Sequence, residues 1–362
     1  MKRRSLLRGA AAAGAAGLAA SAFQAPAIAQ GKRELKLVTS WPKNLPGLGT
    51  SAQWFADKVT AMSEGTLTVR LYAAGELVPP FGVFDAVSQG NADMYHAAAF
   101  LFAGKSKAFS FFSTVPFGLT SDELIGWYHY GGAQALYDEA YAPFKLKPFL
   151  VGVPDFTMMG WLNKEIRTLD DLKGLKYRMP GFGGEALRRL GVAVVNIPPG
   201  ELLQALRSGA IDGTEWAGPY GDLGMGFHKA AKYYYYPGFH EPGTGVELVV
   251  NLDVWKSLKR SHQEIIRVAS DAANLQCLGE FTAGNGEAIA TLVKQGVQLR
   301  KMPDPILKEL AGHSEAAMAD FAKSDPMAKK VYDSLTSYRK KMLSWSPYGA
   351  EAYYAARRLA LG

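Results

Sequence analysis

Cysteine is almost absent from this chain. Cys277 is the only one in 362 residues, so no intramolecular disulfide can form and a disulfide-held scaffold is excluded. After residue 30, no apolar run approaches the roughly 18 residues that cross a bilayer. The six histidines, His96, His129, His228, His240, His262 and His313, include no His-x-x-x-His or His-x-His pair, which argues against a zinc site. A Gly-x-Ser-x-Gly elbow is missing, and with it the usual mark of a serine hydrolase on an α/β framework. The proportions that remain, 48% hydrophobic and 20% charged, exclude disordered and collagen-like chains.

The formal net charge is +7, but much of it sits at the start. Residues 1–29 read Lys2-Arg3-Arg4-Ser5-Leu6-Leu7-Arg8, then an Ala/Gly-rich apolar run, then Ala27-Ile28-Ala29. A basic start, a short apolar middle and a small-x-small end describe a secretory signal peptide. The Arg3-Arg4 pair followed by Leu6-Leu7 resembles a twin-arginine signal. Its four basic residues and lack of acids leave +3 on the exported chain, which points to no nucleic acid or other polyanion. The expected compartment is the periplasm.

Period-two alternation predicts strands over Glu34–Thr39 and Leu67–Leu71, and a third over Ala92–Ala98. Helical spacing over Ser51–Met62 and Phe81–Ser88 makes the opening βαβαβ, and so a mostly parallel sheet with helices on both faces. A second α/β block follows, with strands near Phe149–Val153, Lys176–Met179, Val192–Ile197 and Ile211–Trp216 and helices at Gly184–Leu190 and Glu201–Arg207. Both blocks hold a helix that stops at glycine, Gly90 and Gly209, before a strand, as two lobes of similar construction would. From Asp253 on, the chain is mainly helical: Ser261–Leu278, Asp304–Lys323, Pro326–Leu343 and Gly349–Leu359, with a short strand at Val297–Lys301. The fold class is therefore α/β with a helical C-terminal part.

Ala99 to Ser106 ends like a phosphate-binding loop, but its Phe-Leu-Phe centre cannot wrap phosphates. Gly181-Phe182-Gly183-Gly184-Glu185-Ala186 fits a dinucleotide fingerprint, with Glu201 twenty residues on. It keeps open an exported NAD(P)-dependent oxidoreductase using Gly181–Gly184, although the preceding Lys176-Tyr177-Arg178-Met179 is polar for a buried first strand.

Three polar features stand where strands end: Arg178, Asp212-Gly213-Thr214-Glu215-Trp216-Ala217-Gly218-Pro219-Tyr220, and Tyr233-Tyr234-Tyr235-Tyr236-Pro237-Gly238-Phe239-His240-Glu241. An Arg there can hold a carboxylate through two parallel charge-assisted hydrogen bonds. Two glutamates facing one cleft repel each other unless a cation lies between them.

Together with Trp41-Pro42-Lys43, Ala73-Ala74-Gly75-Glu76, Val115-Pro116-Phe117-Gly118-Leu119 and Gly174-Leu175-Lys176-Tyr177-Arg178, these motifs resemble the DctP-type extracytoplasmic solute receptors of tripartite ATP-independent periplasmic (TRAP) transporters. Within that family the chain is most similar to the branch that binds 2-oxo acids and related monocarboxylates. The resemblance implies a two-lobed periplasmic binding protein, not an enzyme, that captures a small 2-oxo or 2-hydroxy monocarboxylate and delivers it to membrane permease subunits. Lobe I would comprise residues 31–154 with returning segments from 243–362, and lobe II residues 155–242.

It further implies that Arg178 binds the substrate carboxylate, and that Glu215, the Trp216 carbonyl and Glu241 hold a metal ion, calcium or sodium. Phe182 and Phe100 would be cleft walls. Where relatives place a metal-binding Gln, Thr157 stands four residues before Trp161; its hydroxyl is shorter, and Asp155 on the same strand face is the candidate substitute. Pro326–Leu343 is basic, with Lys329, Lys330, Arg339, Lys340 and Lys341, and reads as a surface helix or, by the resemblance, a homodimer element.

Overall fold

A computed structural model describes residues 31–362. The signal assigned to residues 1–29 lies outside them. The strands, in chain order, are β1 (Arg33–Thr39), β2 (Leu67–Tyr72), β3 (Met94–Ala98), β4 (Leu146–Leu150), β5 (Gly160–Leu162), β6 (Lys176–Arg178), β7 (Ala193–Val195), β8 (Gly213–Thr214), β9 (Tyr233–Tyr236), β10 (Val246–Asn251) and β11 (Gln298–Lys301).

They form two sheets, ordered β2-β1-β3-β10-β4 and β11-β9-β5-β8-β6-β7. The βαβαβ opening holds: β1 pairs in parallel with β2 and β3, with helices Leu48–Met62 and Val83–Ser88 between them. The sheets are mixed, however, because each admits one antiparallel strand. β10 runs between β3 and β4 in the first sheet, and β5 between β8 and β9 in the second. β10 (Val-Glu-Leu-Val-Val-Asn) is buried at every position, so it shows no alternation for a period-two reading to find. Gly90 and Gly209 do take left-handed φ, 79° and 72°.

The chain passes between the lobes through two irregular segments, 151–159 and 237–245. The strand expected over Phe149–Val153 ends at Leu150, where the first of these begins. After residue 243 the chain does not return to lobe I alone. β10 joins the first sheet, but β11 pairs with β9 in the second, and helix Asp304–Ser324 packs on helix Gly181–Arg189.

The helix expected to stop at Leu278 runs over Arg260–Lys294. It passes through Gly284 because the Tyr220 ring lies where a Cβ would be, a close approach that only glycine permits. Its first half buries Ile266, Ala269 and Ala273 against the first sheet, and its second half buries Phe281 and Leu292 against the second.

Inside the first lobe, Glu247 of β10 accepts hydrogen bonds from Tyr95 (2.8 Å), Tyr141 (2.6 Å) and Tyr137. Burial pushes its carboxyl up to about 7 against the pull of these donors. The folded state therefore holds a proton that the unfolded chain releases near 4.5, so the stability Glu247 contributes is full below about pH 4.5 and lost as pH rises through about 7. Compared by urea unfolding, Glu247→Gln is expected to lose most at pH 5, with its disadvantage shrinking by about 3 kcal/mol at pH 8. An equal disadvantage at both pH values would show that the carboxyl titrates normally.

Candidate functional site

β6 ends in Arg178 and β8 leads into Glu215, so parallel neighbours deliver both side chains beyond their carboxyl ends, where open α/β sheets bind ligands. Arg178 and Glu215 are 3% and 2% exposed. An Arg178 Nη1–H donates to Glu215 Oε1, and His240 Nε2 lies 3.3 Å from Glu215 Oε2. The guanidinium also lies over the Trp216 ring, 5.6 Å from its centroid. Arg178 Nε and the Trp216 indole Nε1 are buried without a protein partner among the described residues. Both are donors, and both residues line the same cavity, which suits an incoming anion.

Glu241 comes from the second crossing segment. The Thr244 hydroxyl donates to its Oε2 at 3.0 Å, and the Thr157 hydroxyl, from the first crossing segment, donates to its backbone carbonyl at 2.9 Å. Glu215, His240 and Glu241 each place a ligand atom within 4.8 Å of the others. Burial first and repulsion from Glu215 second push the Glu241 carboxyl well above the usual range. Two buried carboxylates beside one guanidinium leave a net negative charge that a cation would offset, and their oxygen donors suit a hard ion such as calcium or sodium.

The cavity has a volume of about 40 Å³. That is room for about three or four waters, or for a ligand of a few heavy atoms. The first lobe supplies apolar walls, including Trp41, Leu48 and Phe100, and the second supplies Arg178, Glu215, Trp216 and Pro199. Buried Asp222 fixes the Glu215–Ala217 turn: it accepts from the Trp161 indole at 2.8 Å, the Tyr234 hydroxyl at 2.7 Å and the Ala217 N–H at 3.0 Å. Trp161 and Tyr234 stack at 4.1 Å, holding these donors in place.

Residues 37–325 match the bacterial extracellular solute-binding proteins, family 7 (DctP). The chain belongs to that family. A monocarboxylate 2-oxoacid-binding periplasmic protein of Nostoc is 39% identical over 318 residues, covering 88% of this chain and 87% of that one. A TRAP periplasmic solute-binding protein from Colwellia psychrerythraea, solved with calcium and pyruvate, has a TM-score of 0.87 at 38% identity, covering 90% of this chain and 99% of that one. Another from Pseudoalteromonas atlantica, solved with sodium and pyruvate, has a TM-score of 0.86 at 37% identity and the same coverage.

In this solute-binding protein Arg178, Glu215, Trp216, Glu241 and Phe100 all line one cavity. Phe182 does not. It is 2% exposed in the core, its ring 4.8 Å from both Phe111 and Phe321, because the helix beginning at Gly181 turns it toward the first lobe. Thr157 spends its hydroxyl on the Glu241 carbonyl, so it ties the two crossing segments together. Asp155 lies in irregular chain and not on a strand, and its carboxylate accepts from the Thr282 hydroxyl at 2.9 Å.

A Cβ at Gly184 would collide with the Met179 carbonyl, and one at Gly183 with His240, so these glycines are accounted for by close packing of the helix start without a dinucleotide. His240 carried no spacing signal, since Glu215 reaches it only through the fold. Its one sequence mark is adjacency to Glu241 in the Tyr-Pro-Gly-Phe-His-Glu turn.

Proposed function

We propose that this chain is the periplasmic receptor of a TRAP transporter, binding a small 2-oxo or 2-hydroxy monocarboxylate together with a calcium or sodium ion and passing it to membrane permease subunits without transforming it. The observation that carries this reading is the convergence of Arg178, Glu215 and Glu241 on one small interlobe cavity. Arg178 would fork onto the substrate carboxylate, and Glu215, Glu241 and the Trp216 carbonyl would hold the ion. The ion supplies positive charge toward the acid's oxygens. Two glutamates, one arginine and a monocarboxylate sum to −2, and among the described residues no other charged side chain lines the cavity, so neutrality favours calcium over sodium. Lobe closure over the pair would give the permease a shape that reports occupancy.

A thermal-shift screen tests the reading. Pyruvate with calcium at about a hundred times Kd is expected to add about 2.7 kcal/mol of stability and raise Tm by several degrees, with a smaller rise in chelator. NAD(P) is expected to leave Tm unchanged; a rise with NAD(P) alone would favour the oxidoreductase.

Helix Ala350–Leu361 buries none of its residues, and Leu343, Trp345, Tyr348 and Tyr353 are exposed on and beside it. An apolar surface of this kind supports a homodimer formed through the C-terminal helices Pro326–Trp345 and Ala350–Leu361. Light scattering is expected to give twice the chain mass, and a monomer mass would remove the proposal.

A further inference from the structure

The Trp41-Pro42-Lys43 motif and buried His96 have no part in the ion and carboxylate contacts. Trp41 follows β1 at its carboxyl end, is 4% exposed and lines the cavity from the first lobe. Its indole Nε1–H donates to His96 Nδ1 at 2.8 Å, and its backbone carbonyl accepts the Ala74 N–H at 2.9 Å. His96 is fully buried on β3, with Thr39 of β1 and Leu248 of β10 as its neighbours in register.

Since Nδ1 accepts, the neutral ring carries its proton on Nε2, which is buried facing the Val151 backbone and has no well-aligned hydrogen-bond partner among the described residues. Burial also holds the imidazole pKa down at about 4, so it stays an acceptor at neutral pH. An apolar residue would fill this space with no unpaired group. The histidine's Nδ1 is committed to the indole. Across the cavity the edge of Trp41 meets Trp216, the neighbour of Glu215, at 6.1 Å and 77°.

We propose that the His96–Trp41 pair sets the chain-length limit of the bound acid. The imidazole holds the indole as a fixed cap over the apolar end of the cavity, so acids of three or four carbons fit and longer or branched ones do not. This rests on the receptor reading above and specifies its substrate class. His96 acts through Trp41 and is a positioning residue.

Calorimetric titration in calcium with pyruvate, 2-oxobutyrate, 2-oxovalerate and 4-methyl-2-oxovalerate tests it. In the native protein, affinity is expected to fall about tenfold or more for each carbon beyond the limit. Trp41→Ala is expected to compress the whole series to within about threefold, and Trp41→Phe, which keeps a ring but loses the tether, to compress it in part. His96→Phe removes the acceptor and is expected to shift the ratios toward those of Trp41→Phe, while His96→Gln keeps an acceptor and preserves the native order. Native ratios in whichever Trp41 variants fold, by circular dichroism, would overturn the proposal, and native ratios in His96→Phe would overturn the positioning role. If the native protein binds none of the four acids, the receptor reading fails and this inference with it; binding with Trp41-independent ratios sinks only the inference.

Discussion

Arg178→Ala is expected to weaken binding of a small carboxylate by at least about 30-fold. The guanidinium is buried, paired with Glu215 and stacked on Trp216, with its Nε–H unsatisfied beside the cavity. Removing one partner of a buried charge pair costs roughly 2–5 kcal/mol in binding, about 30-fold to several-thousand-fold in Kd. Arg178→Lys keeps the charge but loses the planar fork, so it is expected to recover only part of the loss. Because the substitution to Ala leaves Glu215 buried with fewer partners, its fold should be checked by circular dichroism and by urea unfolding. A folded Arg178→Ala protein with native affinity in calorimetry would remove Arg178 from the site.

The second large effect is expected at Glu215. Glu215→Gln preserves shape and removes one of the two charges that call for a cation. Ion affinity should fall by at least about ten- to a hundred-fold, and carboxylate affinity should fall with it because the acid is held partly through the ion. Elemental analysis after exhaustive chelation and resupply reads the first loss, and calorimetry with and without chelator reads the second. Loss of calcium or sodium with ligand affinity intact would show that ion and acid bind independently. Absence of any bound ion in the native protein after resupply would end the ion model.

The first lobe was largely legible because β1, β2 and β3 are separated by amphipathic helices and follow in local order. Arg178 and Glu215 were legible for a related reason: parallel strands place their last residues on one edge, so sequence position already implies proximity. The strands β5, β9 and β10 were not. The Tyr233–Tyr236 run reads as part of a turn because Pro237 and Gly238 follow it, yet it pairs with β5 and β11 in the middle of a sheet. Phe182 was named a cleft wall only by the family resemblance, and the helix it opens turns it into the core instead. Trp41 meets Trp216 across the cavity, and His240 meets Glu215, only through contacts far apart in sequence, which no local spacing encodes.

The two crossing segments are joined at the site itself, where Thr157 donates to the Glu241 carbonyl and the Gly238 N–H to the Thr157 carbonyl at 3.2 Å. Glu241 therefore stands where two of the connections between the lobes are tied together, and if the lobes turn about these connections it lies close to their axle. A group held at an axle moves little while the rims travel far. An ion captured there would set the opening angle of the whole molecule through displacements of a fraction of an ångström, and the lobe tips would carry that setting outward as a large change in reach.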